Sequence, residues 1–293
     1  MAEPYTTIVP KGFKAIPLPL FLEGQVHAMR VVKSEREARA IYEAVRKSDL
    51  YDRDLRMYKV NASLEKEPLS IGRTRTFARG WLENESVWVH MEYKYLLEIL
   101  RSGLAGEFFE EFKRCGVPFL SPERYGRSTT ENSSFIASSA YVNPADIGRG
   151  FMARLSGATA EFIHMWIFMC CGERPFRLDA KGHLEAVLQP TLPGWLFTKD
   201  AARMELVGDN GSPRVYDVPA QGFGYVLLGH TAVIYRQGGA ARNTFGDDAA
   251  RVRSMKLTYN DGTTADLPGN TIPEPHATAL RNREIDLIEA ELG

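Results

Sequence analysis

The sequence predicts an α+β protein, with a helical domain over residues 1–176 and a small antiparallel β domain over residues 177–293. Three observations carry this expectation. Apolar residues recur at helical spacing through the first part, and past Pro175 they fall into short runs separated by turn residues. The composition, 44% hydrophobic and 25% charged over 293 residues, is that of a globular chain able to bury a sizeable core.

The helices follow in order. Residues 22–32 form a short apolar candidate. Ser34 followed by Glu37 has the spacing of a capping box, in which each side chain satisfies a backbone N–H left open at a helix start. Ala38, Ile41, Tyr42 and Val45 then fall on one face. Residues 92–104 carry Tyr93, Leu96, Leu97 and Leu100, and residues 106–115 add Phe108, Phe109 and Phe112. Residues 159–171 are almost wholly apolar, so this helix is expected to be buried on most sides.

Strands are expected at 184–188, 204–207, 224–228, 231–235 and 255–259. Asp209-Asn210-Gly211 and Asn260-Asp261-Gly262 supply turns, and residues 225–235 read as a hairpin. A charged helix at 277–283 is expected to close the chain. The same periodicity also suits a helical bundle with a separate β module.

Charge and cysteine usage exclude several classes. A formal net charge of −1, with no extended basic stripe, gives a nucleic acid nothing to hold. The three cysteines form no disulfide framework, and no His/Cys cluster has metal-site spacing. Neither a metal nor an organic cofactor is therefore expected. The longest apolar run, 165–171, is far short of the roughly 20 residues a membrane helix needs. With no apolar secretory core in residues 1–11, the expected setting is cytoplasmic.

Chemistry concentrates in three stretches. Residues 80–91 bring Trp81, Trp88, Glu83, Glu85 and His90 together ahead of a helix. A sugar has apolar C–H faces and a rim of hydroxyls, so aromatic platforms beside carboxylates suit it. The same residues also suit two core tryptophans and a salt-bridged Glu83. Residues 125–135 surround Glu131 and Asn132 with serine and threonine hydroxyls, as either a sugar-gripping loop or a solvated connector. Residues 148–157 place Arg149, Arg154, Ser156 and Gly157 before the apolar helix. A helix start offers open N–H groups to an anion, although Ser156 serves equally as an ordinary cap. His164, deeper in that helix, reads as a packing residue. Glycoside cleavage needs two carboxylates, or one acid when phosphate attacks, and Glu23, Glu83, Glu85 and Glu131 are the candidates.

These stretches resemble the inverting cellobiose-phosphorylase family. Phe21-Leu22-Glu23-Gly24-Gln25 resembles its apolar-Glu-Ala-Gln segment. Glu83-Asn84-Glu85-Ser86-Val87-Trp88-Val89-His90 is similar to its Glu-Asn-Gly-Gly-Ile-Phe-X-His motif, which places His90 at a phosphate-contacting histidine. Glu131-Asn132 resembles the start of Glu-Pro-Tyr, and Leu155-Ser156-Gly157 resembles Leu-Thr-Gly. Gln189-Pro190-Thr191-Leu192-Pro193 resembles the Pro-X-Ile-Pro that leads into the family's β domain. The resemblance covers most of this chain but only the later part of the family's architecture. It implies that the helices are part of an (α/α)6-barrel-like domain.

The implied activity is cleavage of a β-linked saccharide by hydrolysis or phosphorolysis, with inorganic phosphate as co-substrate in the second case. Glu83 and Glu131 are the implied catalytic acids, and Glu23, Trp81, Glu85, Trp88, His90, Arg149, Arg154, Ser156 and Gly157 would bind sugar or phosphate. Glu85-Ser86 replaces the double glycine, which puts a negative charge near the implied phosphate, and no residue aligns with the family's general-acid aspartate. A non-catalytic sugar-binding or scaffold role is the alternative. Half a barrel leaves open flanks, so a homodimer through the helical domain is also expected.

Overall fold

The computed structural model describes residues 9–153, 157–208 and 211–293. They form an α+β protein of helices and several small sheets, with the longest helices early in the chain and most strands late. Helix α1, Leu22–Val31, buries Leu22, Val26 and Met29. Helix α2, Glu35–Lys47, starts at the expected capping box: Glu37 N–H donates to Ser34 Oγ at 3.3 Å, and Lys33 N–H donates to the Glu37 carboxylate. A two-stranded ribbon follows, β1 (Tyr51–Asp52) with β2 (Met57–Tyr58).

The short strand β3, Val87–Trp88, runs straight into helix α3, Val89–Arg101, which lies at the centre of the helical part. Helix α4, Ala105–Cys115, packs beside α3 and buries Phe108, Phe109 and Phe112. After the single turn α5, Pro122–Tyr125, come β4 (Ser133–Ile136) and β5 (Gly150–Ala153). These two strands join β3 in a three-stranded antiparallel sheet that the sequence pattern did not announce.

Helix α6, Gly157–Cys171, packs on α3. Its burial differs from expectation. Met165, Met169, Cys170 and Cys171 are buried, but Ile163 is 50% exposed and Trp166 only half-buried. The helix packs on α3 and, through Trp166, Cys170 and Cys171, on the β part, and leaves Ile163 and His164 open.

The strands that follow α6 start with β6 (Phe176–Leu178) and β7 (Leu184–Val187), so β6 straddles the expected 176/177 boundary. The hairpin β8 (Ala202–Val207) with β9 (Pro213–Val218) comes next; Asp209 and Asn210, expected as its turn, lie outside the described residues. The main sheet has five strands in the order β10 (Gly222–Leu227), β11 (Thr231–Gln237), β15 (Ile285–Leu292), β12 (Val252–Tyr259) and β13 (Thr264–Pro268).

Two expectations are corrected in this sheet. It is not purely antiparallel, since β11 and β15 run parallel. The chain also ends in this central strand rather than in a helix: the short helix α7, His276–Arg281, precedes it, and the edge strand β14, Thr271–Ile272, pairs with β7. Asp286, Glu289 and Glu291 hide the strand pattern of 285–292, in which Ile285, Ile288, Ala290 and Leu292 are buried.

One core runs through both parts, from Leu22 to Leu292. Hydrogen bonds join them as well: Tyr235 Oη donates to Cys170 O at 2.7 Å, Gln189 N–H to Cys171 O at 3.0 Å and Thr191 N–H to Met169 O at 2.8 Å. The proline-rich segment thus fastens the tail to the end of α6.

Candidate functional site

The segment that leads into α3 is shaped by one glycine and a tight turn. Gly80 has φ +73°, and a Cβ there would lie 2.4 Å from the Tyr141 backbone nitrogen, so no other residue fits. Trp81 and Asn84 exchange backbone hydrogen bonds across Leu82-Glu83. Asn61 ties the turn down, donating to Glu83 O at 3.2 Å and accepting from Glu85 N–H at 2.6 Å. Val60 N–H donates to Ser86 O, and Leu22 N–H to Val60 O. These bonds bring the start of α1, the residue-60 segment and β3 to one place.

There they line an open cleft of about 240 Å³ with Phe21, Glu23, Val60, Glu83, Trp88 and Met91. Trp88 stacks on Phe135 at 6.1 Å with rings nearly parallel. Glu83 is held by Arg73 through two bonds of 2.7 and 3.0 Å, and Glu23 by Lys94 at 3.5 Å. Both carboxylates are oriented acceptors at a partly solvated rim. Three of the expected residues, Glu23, Glu83 and Trp88, therefore share one cleft.

Others lie elsewhere. Trp81 packs against Tyr141, Phe135 and Phe151 with ring centroids 4.4–4.9 Å away, and is a packing residue rather than a platform. Glu85 is buried, accepting from Arg79 at 2.7 Å and Lys59 at 3.4 Å. Burial pushes its carboxyl up, but the Arg79 hydrogen bond and the charges of Lys59 and Arg79 outweigh that and hold it below the usual range. Its charge is neutralised within the protein and does not face the cleft. Glu131 is exposed and paired with Arg127 at 3.3 Å. It does not line the cleft with Glu83, so the expected pair of acids is not gathered there. Arg149 lies against Gly126, and Arg154 and Ser156 lie outside the described residues.

His90 and Gly157 do meet. A Cβ on Gly157 would lie 2.3–2.5 Å from three ring atoms of His90. His90 Nε2 stands 3.6 Å from Glu161 Oε1, and His164 Nδ1 stands 3.3 Å from Glu161 Oε2. Glu161 was missed in the sequence, although it is the only acid in an otherwise apolar helix and that isolation was a usable signal. His164 is paired and exposed rather than packed. Lys94, the partner of Glu23, follows His90 by one helical turn, so the histidine dyad and the cleft lie along the same stretch of α3.

A larger cavity of about 460 Å³ sits at the junction with the tail, lined by Gln189, Pro190, Thr191, Arg251, Arg253 and Asn270 among others. It has no carboxylate and a single aromatic ring, Phe245, so the Trp88 cleft is the better sugar site. Among the described residues no group of three or more His, Cys, Asp or Glu side chains is placed to hold a metal. No described helix is long and apolar enough to cross a membrane. No family model matches the chain, and no curated protein matches it.

Proposed function

We propose that this protein binds a β-linked saccharide in the Trp88 cleft. The observation that supports this reading is the meeting of one indole and two cation-held carboxylates, Glu23 and Glu83, around a single opening. The indole offers a face to the C–H surface of a sugar ring, and the carboxylates accept from its hydroxyls. At about 240 Å³ the cleft is smaller than the usual ligand pocket and suits one ring of a longer saccharide.

Cleavage of the β-glycosidic bond is the second reading, favoured by two carboxylates lining the same cleft. One would protonate the leaving oxygen as that bond breaks. Water activated by the other, or inorganic phosphate held near His90 and Gly157, would attack the anomeric carbon. The resemblance also makes the helical part a portion of an (α/α)6-like barrel, supported by the neighbouring pairs α1 with α3 and α3 with α6. A product assay on β-linked disaccharides, with and without phosphate, tests the reaction. Sugar 1-phosphate or free sugar that is lost in Glu83→Gln supports cleavage; saccharide binding without either product leaves the binding role alone.

Self-association belongs to the same proposal. Phe13 is 94% exposed in the extended arm before α1, and Ile163 stands open on α6. A second copy of the chain is the occupant that would cover both. Sedimentation equilibrium should give twice 32.9 kDa, falling to the single mass in Ile163→Asp; a wild-type monomer overturns the dimer.

A further inference from the structure

Two arginines, Arg124 in α5 and Arg149 just before β5, have no place in the cleft. Arg124, in α5, lies across Gly148: a Cβ there would be 2.6 Å from its Nε. Arg149, the next residue after Gly148, lays its guanidinium over Gly126, where a Cβ would be 3.1 Å from Nη2. Between them the Tyr125 ring rests on Gly150, at 2.3 Å from the Cβ position. Arg124 thus covers the glycine beside Arg149, Arg149 covers the glycine two residues after Arg124, and the two segments lie face to face. Gly126 and Gly148 both have positive φ, +69° and +84°, so this close approach is built into the backbone.

Like charges carried on facing segments repel, and nearby carboxylates usually relieve that repulsion. Arg114 has Glu110 and Glu111, and Arg127 has Glu131. The guanidinium groups of Arg124 and Arg149 have neither an ion-pair nor a hydrogen-bond partner among the described residues. Glu123, beside Arg124, is hydrogen-bonded to Ser121 instead, and the carboxylate of Asp146, three residues before Arg149, accepts from Asn143 at 2.6 Å. Arg124 also borders a cavity of about 200 Å³ whose other walls include Leu55, Met57, Phe119 and Leu120. Arg114 and Ser121 line it as well, and of Arg124 and Arg149 only Arg124 borders it.

We propose that Arg124 and Arg149 bind a phosphate monoester, its phosphate oxygens taking charge-assisted hydrogen bonds from the guanidinium groups and its apolar body filling the Phe119 hollow. Arginine suits this ligand because its planar fork matches two phosphate oxygens at once. The site shares no lining residue with the Trp88 cleft and stands apart from the saccharide reading.

Titration calorimetry with phenyl phosphate, phenol and inorganic phosphate tests it. Phenyl phosphate should saturate, inorganic phosphate should compete more weakly, and phenol should not bind. Arg124→Gln and Arg149→Gln should each weaken phenyl phosphate about tenfold or more, with Arg149→Lys weakening it less. Phe119→Ala should weaken phenyl phosphate and leave inorganic phosphate unchanged. Melting of each variant at the wild-type temperature shows that the fold is intact, as expected for exposed side chains. Absence of saturable phenyl phosphate binding at millimolar concentration, or undiminished binding in both glutamine variants, overturns the proposal.

Discussion

Glu85 and Glu92 are both buried, stand on either side of β3, and end in opposite states. Glu85 has Arg79 and Lys59 against it and is held ionised. Glu92 has no cation against it, only the neutral donors Tyr58 N–H at 2.8 Å and the Cys115 thiol, and its neighbours Glu111 and Asp52 add negative charge. Burial pushes its carboxyl up to about 8, so it carries a proton at neutral pH. The difference comes from whether a cation arrives from elsewhere in the chain. Neither acid reaches the cleft, where Glu23 and Glu83 keep both a cation and solvent. The buried acids belong to stability, and the acids at the rim belong to binding.

The largest effect should come from Glu92. Its folded value is raised above the ordinary 4.5, so the folded state holds a proton that the unfolded chain releases. That contribution is complete below pH 4.5 and is lost as pH rises towards about 8. The slope is about 1.4 kcal/mol per pH unit, or on the order of 4–5 kcal/mol across the window. Urea titrations from pH 5 to 8 should show this loss in the wild type and a much flatter profile in Glu92→Gln. Parallel profiles would mean that Glu92 is ionised like Glu85.

Next comes Glu85→Ala, which strands Lys59 and Arg79 without their shared carboxylate. The expected cost is about 3 kcal/mol, the low end for a broken buried pair because Arg79 is partly exposed. A loss below 1 kcal/mol would place Glu85 among the surface pairs. Smaller still is Gly157→Ala, where the new methyl must displace the His90 ring. Overpacking there should cost about 1–2 kcal/mol and shift the His90 imidazole resonances. Unchanged resonances would separate His90 from Gly157.

These contrasts explain what the sequence could and could not say. The helices were readable because Ala38, Tyr42 and Val45, or Tyr93, Leu96 and Leu100, repeat at the helical period. The strands β3 to β5 were not, since two to four residues among polar loops carry too little alternation. Strand β15 was masked by its charged, half-exposed side chains. In the cleft, Trp88 and Glu83 stood out as an aromatic-acid motif, and Glu23 as a separate one. That Trp81 would turn into the Tyr141 cluster depended on a glycine contact across the fold. The neutralisation of Glu85 depended likewise on Lys59, which no motif spacing reveals.

The most direct test of the saccharide account is calorimetric titration with a panel of β-linked disaccharides, cellobiose among them. Wild type, Trp81→Phe and Trp88→Ala would be compared at one pH. The account predicts saturable binding in the wild type, retained in Trp81→Phe because that ring only packs, and lost in Trp88→Ala because that ring carries the sugar. Saturable binding of equal strength in Trp88→Ala, or no saturable binding by the wild type across the panel, would contradict it.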